Sequence, residues 1–184
     1  MSTATRTTGA EKVFWNLDDI YKGSEDPKFA LDIDAAKRAA HNFRDKYYGK
    51  VGQLNAVGLR NAVADLEKLT SDLMRPSIYA MLRYATDTAD PARGALRQRM
   101  LEMSTVLSSE TLFFVLEWVE IDDERAERLL NDPDLAKYRH HLKSERRYKQ
   151  FVLSEPEERI LAEKAATSEA AWARLFEELV LLLG

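Results

Sequence analysis

Two adjacent histidines, His140 and His141, lie in the stretch KYRHHLKSERR at residues 137–147, and the chain has only three. Neutral imidazole is the commonest metal ligand, so the pair raises the question of a zinc site. Spacing answers it. Successive side chains on an α-helix point about 100° apart, whereas two helical ligands to one ion sit at i and i+4, as in His-Glu-x-x-His. Only His141 with Glu145 has that spacing, and two ligands fall short of a zinc site. A solvated helix face without metal is expected.

The same segment collects Arg139, Lys143, Arg146, Arg147 and Lys149, residue types that neutralise phosphate. Glu145 interrupts the run, SEPEE follows it, and the whole chain carries a net charge of −4, so no nucleic-acid partner is expected. Arg139, Lys143 and Arg147 share a face through i, i+4 spacing, which predicts a docking surface for an acidic neighbouring domain. Glu117, Glu120, Asp122, Asp123 and Glu124 offer paired carboxylates, but they fall where one helix ends and another begins, where capping and solvation account for them. There is no cysteine to serve as nucleophile, thiolate ligand or disulfide partner. With seven glycines there is no G-x-S-x-G elbow and no phosphate-cradling loop. No catalytic, cofactor-binding or metal-binding residue is assigned.

What holds these residues is helix almost throughout. In residues 24–49, Asp26 caps, Pro27 suits a first turn, and Phe29, Ile33, Ala36, Ala40, Phe43 and Tyr47 step by four and three until Gly49. Leu59, Val63, Leu66, Thr70 and Leu73 draw a second stripe before Pro76, and Ile78, Met81, Leu82 and Ala85 a shorter third. Asp90 and Pro91 restart the chain into one long helix, with Leu96, Met100, Met103 and Leu107 on a face and Phe113, Phe114 and Trp118 deeply buried further on. A short helix over 123–131 precedes one that starts at Asp132 and Pro133 and carries the histidines. Ser154 and Glu157 form a capping box, with the serine accepting from the Glu157 amide, and Thr167 or Ser168 opens the last helix. No stretch sustains period-two alternation, so the chain is read as all-α, of paired antiparallel helices around one long central helix. Residues 1–12 are read as a disordered arm and 13–184 as the helical domain, divisible into 13–109 and 110–184. No window has the roughly 20 apolar residues of a membrane span, and no secretory signal opens the chain, so a cytoplasmic protein with no membrane partner is expected.

The tail AWARLFEELVLLLG begins as an ordinary stripe of Trp172, Leu175, Phe176 and Leu179. Val180, Leu181, Leu182 and Leu183 then cover every side of the helix. Apolar surface of this kind marks an interface or an incomplete molecule. The alternative is that this end folds back into its own core.

The run YRHHLKSERRYKQFVLSEPEERILAEKAATSEAAWARLFEEL, with FFVLEW and FWNLDDIY before it, resembles the N-terminal region of oligoendopeptidase F-type zinc metallopeptidases, relatives of thimet oligopeptidase. The stretch carrying most of the likeness is 138–179. The resemblance implies a cytosolic enzyme that cuts short peptides in an enclosed helical channel. It also implies zinc held by His-Glu-x-x-His and a downstream glutamate in a C-terminal catalytic domain. None of those residues occurs here, so this chain alone is expected to be inactive, a wall or lid of the channel whose partners are that catalytic domain and, through it, oligopeptides. In that setting Phe113, Phe114, Trp118, Trp172 and Phe176 are expected in packed core or interdomain contacts. The rival expectation is a stand-alone helical interaction module, pairing as a homodimer through its apolar last helix.

Overall fold

The computed structural model describes residues 16–165 together with 167, 168, 171–173, 175, 176, 179 and 180. Among them there is no strand. Three long helices come first: α1 Pro27–Tyr47, α2 Ala56–Ala85 and α3 Pro91–Glu120. Three shorter ones follow: α4 Asp123–Asn131, α5 Arg139–Glu145 and α6 Glu155–Ala165. The described residues of 171–180 are again helical. The disordered arm assigned to 1–12, like Leu181, Leu182 and Leu183, lies outside the described residues.

Local chemistry sets the starts. Asp26, Asp90 and Asp132 each precede a proline and accept from an amide two residues on, at 2.9, 2.8 and 2.9 Å, opening α1, α3 and the 3₁₀ turn Pro133–Leu135. The missing proline N–H costs nothing in a first turn, where that donor has no helical partner. Asn55 caps α2 through the Gly58 amide, and Asp122 caps α4 through Glu124 and Arg125. Gly49, at φ +71°, takes the left-handed conformation just beyond α1.

Phe29 meets Tyr79, while Tyr47 donates to Asp65 at 2.6 Å, so α1 and α2 run in opposite directions. Tyr84 stacks under Arg97 and Ser77 reaches Ser104, so α2 and α3 do the same. The buried face of α1 is the six residues read from the sequence. Aromatic clusters fill both ends of this three-helix unit. Tyr21, Phe29 and Tyr79 pack with Leu96 and Met100 at one end, and Phe43, Phe113, Phe114 and Trp118 gather at the other. Between them Ala36 and Ala40 meet Leu69 and Leu107, and their small side chains let α1 approach closely at this waist. Fully burying one such phenylalanine stabilises the fold by about 1.5–3 kcal/mol.

The second half of α2 departs from the expected stripes. The helix runs through Pro76 instead of breaking there. The proline leaves the Asp72 carbonyl without its amide partner, a local cost of about 3 kcal/mol. The Ser77 hydroxyl adds a bond to the Leu73 carbonyl, and burial of Pro76, Tyr79, Ala80 and Tyr84 offsets the rest. Leu69 therefore replaces Thr70 on the inner face, and Ile78 and Met81, expected inside, are exposed.

The segment expected to be one helix after Asp132 is three pieces, because it must bend around the end of α3: Pro133–Leu135, α5, and a 3₁₀ turn at Arg146–Phe151. Leu135 and Leu142 are fully buried there beside Trp118. No helix among the described residues is long and apolar enough to cross a membrane.

Candidate functional site

His140 and His141 are both exposed on α5. His141 Nδ1 lies 3.6 Å from Glu145 Oε1, the one pair the spacing allows. The third histidine, His41, pairs with Asp45 on the far side of the chain sequence. Among the described residues no group of three or more His, Cys, Asp or Glu comes together in a way that could hold a metal ion.

The basic run divides. Arg139 Nε donates to the Leu130 carbonyl at 2.6 Å and so closes the C-terminal end of α4. Lys143 and Arg147 are exposed. The α spacing expected to align Arg139, Lys143 and Arg147 lasts only to Glu145, because the chain tightens to three residues per turn at Arg146. The residue of this run most engaged with the core is Arg146. Its guanidinium donates to the carbonyls of Trp118 at 2.8 Å and Ile121 at 2.7 Å, pairs with Asp123, and lies over the Trp118 ring. Lys149 also reaches Asp123, at 2.8 Å. The two cations hold the Asp123 carboxyl below its usual range. Trp118 itself, wholly buried, donates its indole N–H to the Leu142 carbonyl at 2.8 Å.

The acidic run does structural work. Asp122 caps α4 and Asp123 anchors Arg146 and Lys149. Glu117 was not legible as a partner of anything nearby. Its two oxygens accept the amides of Gly49, at 2.6 Å, and Val51, at 3.0 Å, binding the α1–α2 connection to α3. Two Lys-Tyr dipeptides are also unmarked in the sequence. Lys46 and Tyr47 both donate to Asp65, and Lys137 and Tyr138 both donate to Glu67, clamping α1 and the chain before α5 onto α2. No local pattern signals these pairings, since their partners lie 18 to 71 residues away.

What remains open to a partner is a groove and an apolar face. The groove, of about 770 Å³, lies between α2, α3 and the last helical residues, lined by Met81, Tyr84, Met100, Leu101, Ser104 and Leu175. The face is on α6 and beyond. In the expected capping box Ser154 donates its amide and its hydroxyl to Glu157 Oε2, at 3.0 and 2.6 Å, so the hydroxyl gives a hydrogen bond where it was expected to accept one. Phe113, Phe114 and Trp118 are core as expected, but Trp172 is 71% exposed and Phe176 69%. The last helix therefore does not fold these rings into the core of the described chain.

The comparisons with known proteins agree on one family. The family described as Oligopeptidase F matches residues 117–181. The oligoendopeptidase F homolog of Borreliella burgdorferi is 26% identical over 148 residues, covering 80% of this chain and 24% of that relative. The oligopeptidase PepF of Bacillus subtilis is 29% identical over 150 residues, covering 81% of this chain and 22% of its own length. The chain thus spans about a quarter of the length of these relatives. No solved structure matches it.

Proposed function

From the premise that this chain carries an oligoendopeptidase F-type N-terminal region, we propose that it is the non-catalytic helical part of a zinc-dependent oligoendopeptidase hydrolysing short peptides. The observation that carries the reading is one of proportion: the likeness spans four-fifths of this chain but under a quarter of each relative. On this reading the metal and the water it activates belong to a catalytic domain beyond this chain, and among the described residues no group of three or more His, Cys, Asp or Glu could hold it.

The part played by these helices is to bound the reaction space. A wall or lid over a peptidase cleft excludes folded proteins, admits flexible oligopeptides and limits water at the scissile bond. Tying Glu117 to the α1–α2 connection and Arg146 to the end of α3 gives such a wall rigidity. Lys143 and Arg147, both exposed, are the cations available to an acidic surface of the cleft or of the catalytic domain.

The test uses a fluorogenic oligopeptide. The longer polypeptide in which this chain is N-terminal should hydrolyse it, lose activity to a chelator and regain it with zinc, while residues 1–184 alone should neither cleave nor retain zinc. Cleavage by the isolated chain would refute the proposal.

A second reading is favoured by the exposure of Trp172 and Phe176: a stand-alone helical module that pairs through its last helix. Light scattering separates the two. A discrete dimer supports the module, and a monomer supports the domain.

A further inference from the structure

Helix α6 turns charged side chains inward and leaves its two large apolar ones, Ile160 and Leu161, outside among Glu157, Glu163 and Lys164. Glu155, Glu158, Arg159 and Ala162 are its partly covered residues, none is fully buried, and Ile160 and Leu161 are each 54% exposed. The inner side is held by charge. Glu155 accepts from Tyr48 at 3.2 Å and from Arg159 at 2.7 Å, and Arg44 lies 3.9 Å away, stacked over the Tyr48 ring. A surface helix normally does the reverse, turning its apolar stripe to the core and its charges to water. Phe151 and Leu153, just before α6, are 69% and 49% exposed, and Trp172 and Phe176, further along the chain, 71% and 69%. Large apolar side chains left exposed in this number, close together along the chain, mark an interface.

We propose that this outward face, formed by Phe151, Leu153, Ile160, Leu161, Trp172 and Phe176, is the seat of the polypeptide that follows Gly184. The occupant presents an apolar surface of aliphatic and aromatic side chains. The inference rests on the reading of the chain as one part of a longer oligopeptidase, and relatives of which the likeness covers under a quarter supply the occupant. α6 is then a two-sided coupling: charge and hydrogen bonds fasten it to the C-terminal end of α1, and apolar burial fastens the remainder to it.

The chain has no cysteine, so a single introduced thiol reports one position. Ile160→Cys and Phe176→Cys should react rapidly with a maleimide in residues 1–184. In the longer polypeptide, made free of other cysteines, both should react roughly tenfold slower or less. Lys37→Cys, on the exposed side of α1, should react equally in both. Equal labelling of Ile160→Cys and Phe176→Cys in the two contexts would overturn the face. So would concentration-dependent protection in the isolated chain, which assigns the surface to a second copy, or a reading frame that closes at Gly184. Peptide hydrolysis separates this claim from the one beneath it. Turnover with unprotected thiols sinks the face alone, and protection without turnover sinks the peptidase reading while leaving the face standing.

Discussion

Arg146 donates to the carbonyl of Trp118 at 2.8 Å while its guanidinium lies 5.4 Å from the centre of that residue's ring. One side chain thus closes the end of α3 and covers its most buried aromatic. The last carbonyls of a helix have no partner within it, and here a residue 25 to 28 positions further along the chain supplies two at this end. Arg146→Ala should cost about 2–3 kcal/mol in urea unfolding, since carbonyls left dry and unpaired bear their full desolvation penalty. Arg146→Lys should recover only part, because an ammonium cannot reproduce the planar fork.

The two Lys-Tyr clamps predict a defined acid response. Lys137 and Tyr138 hold Glu67 below its ordinary value of 4.5. Burial pushes Asp65 up, but Lys46 and Tyr47 outweigh it and bring it below 3.8. The unfolded chain therefore binds protons that the folded chain refuses, so the clamps stabilise fully above the ordinary values and fade as pH falls through the lower folded ones. The urea midpoint should drop from about pH 5 to pH 3, with a shallower slope in an Asp65→Asn, Glu67→Gln double variant. Tyr47→Phe should cost about 1 kcal/mol at neutral pH.

The aromatic residues form two classes that calorimetry can separate. Phe113 is 1% exposed, and Phe113→Ala should cost about 3–5 kcal/mol through lost burial and the cavity left behind. Phe176→Ala, at an exposed ring, should change the stability of residues 1–184 by less than about 0.5 kcal/mol.

Replacing His140 and His141 together with alanine should leave thermal stability within about 0.5 kcal/mol and, on the proposed function, the zinc content of the longer polypeptide unchanged, as measured by elemental analysis. Loss of stoichiometric zinc on this substitution would place a ligand on α5 and contradict its geometry.

Where the fold was legible, local rules and tertiary packing agreed. For α1 the Asp-Pro start, the Gly49 stop and a clean 3.6-residue period all name the same helix and the same buried face. α2 was misread beyond Leu66 because Pro76 is a breaker in isolation, whereas here the Ser77 bond to the Leu73 carbonyl and the burial of Pro76, Tyr79, Ala80 and Tyr84 carry the helix through it. Once the helix continues, its inner face follows Leu69, Pro76 and Tyr79, and the apolar Ile78 and Met81 turn outward. The pairing of His141 with Glu145 on α5 was legible because it depends on spacing alone. Arg146 and Glu117 were not, because a cap supplied across the fold leaves no mark in neighbouring residues.

The bonds from Glu117 to Gly49 and Val51 bear on how the molecule can be taken apart. The short link between α1 and α2 looks like a natural place for a nick, a tag or relocated termini, yet parting it would strip two amides from a carboxylate on the central helix. The turn at Thr86–Ala89, exposed throughout and held mainly by bonds within itself and to neighbouring residues, is the seam along which the chain can be opened without loosening its framework.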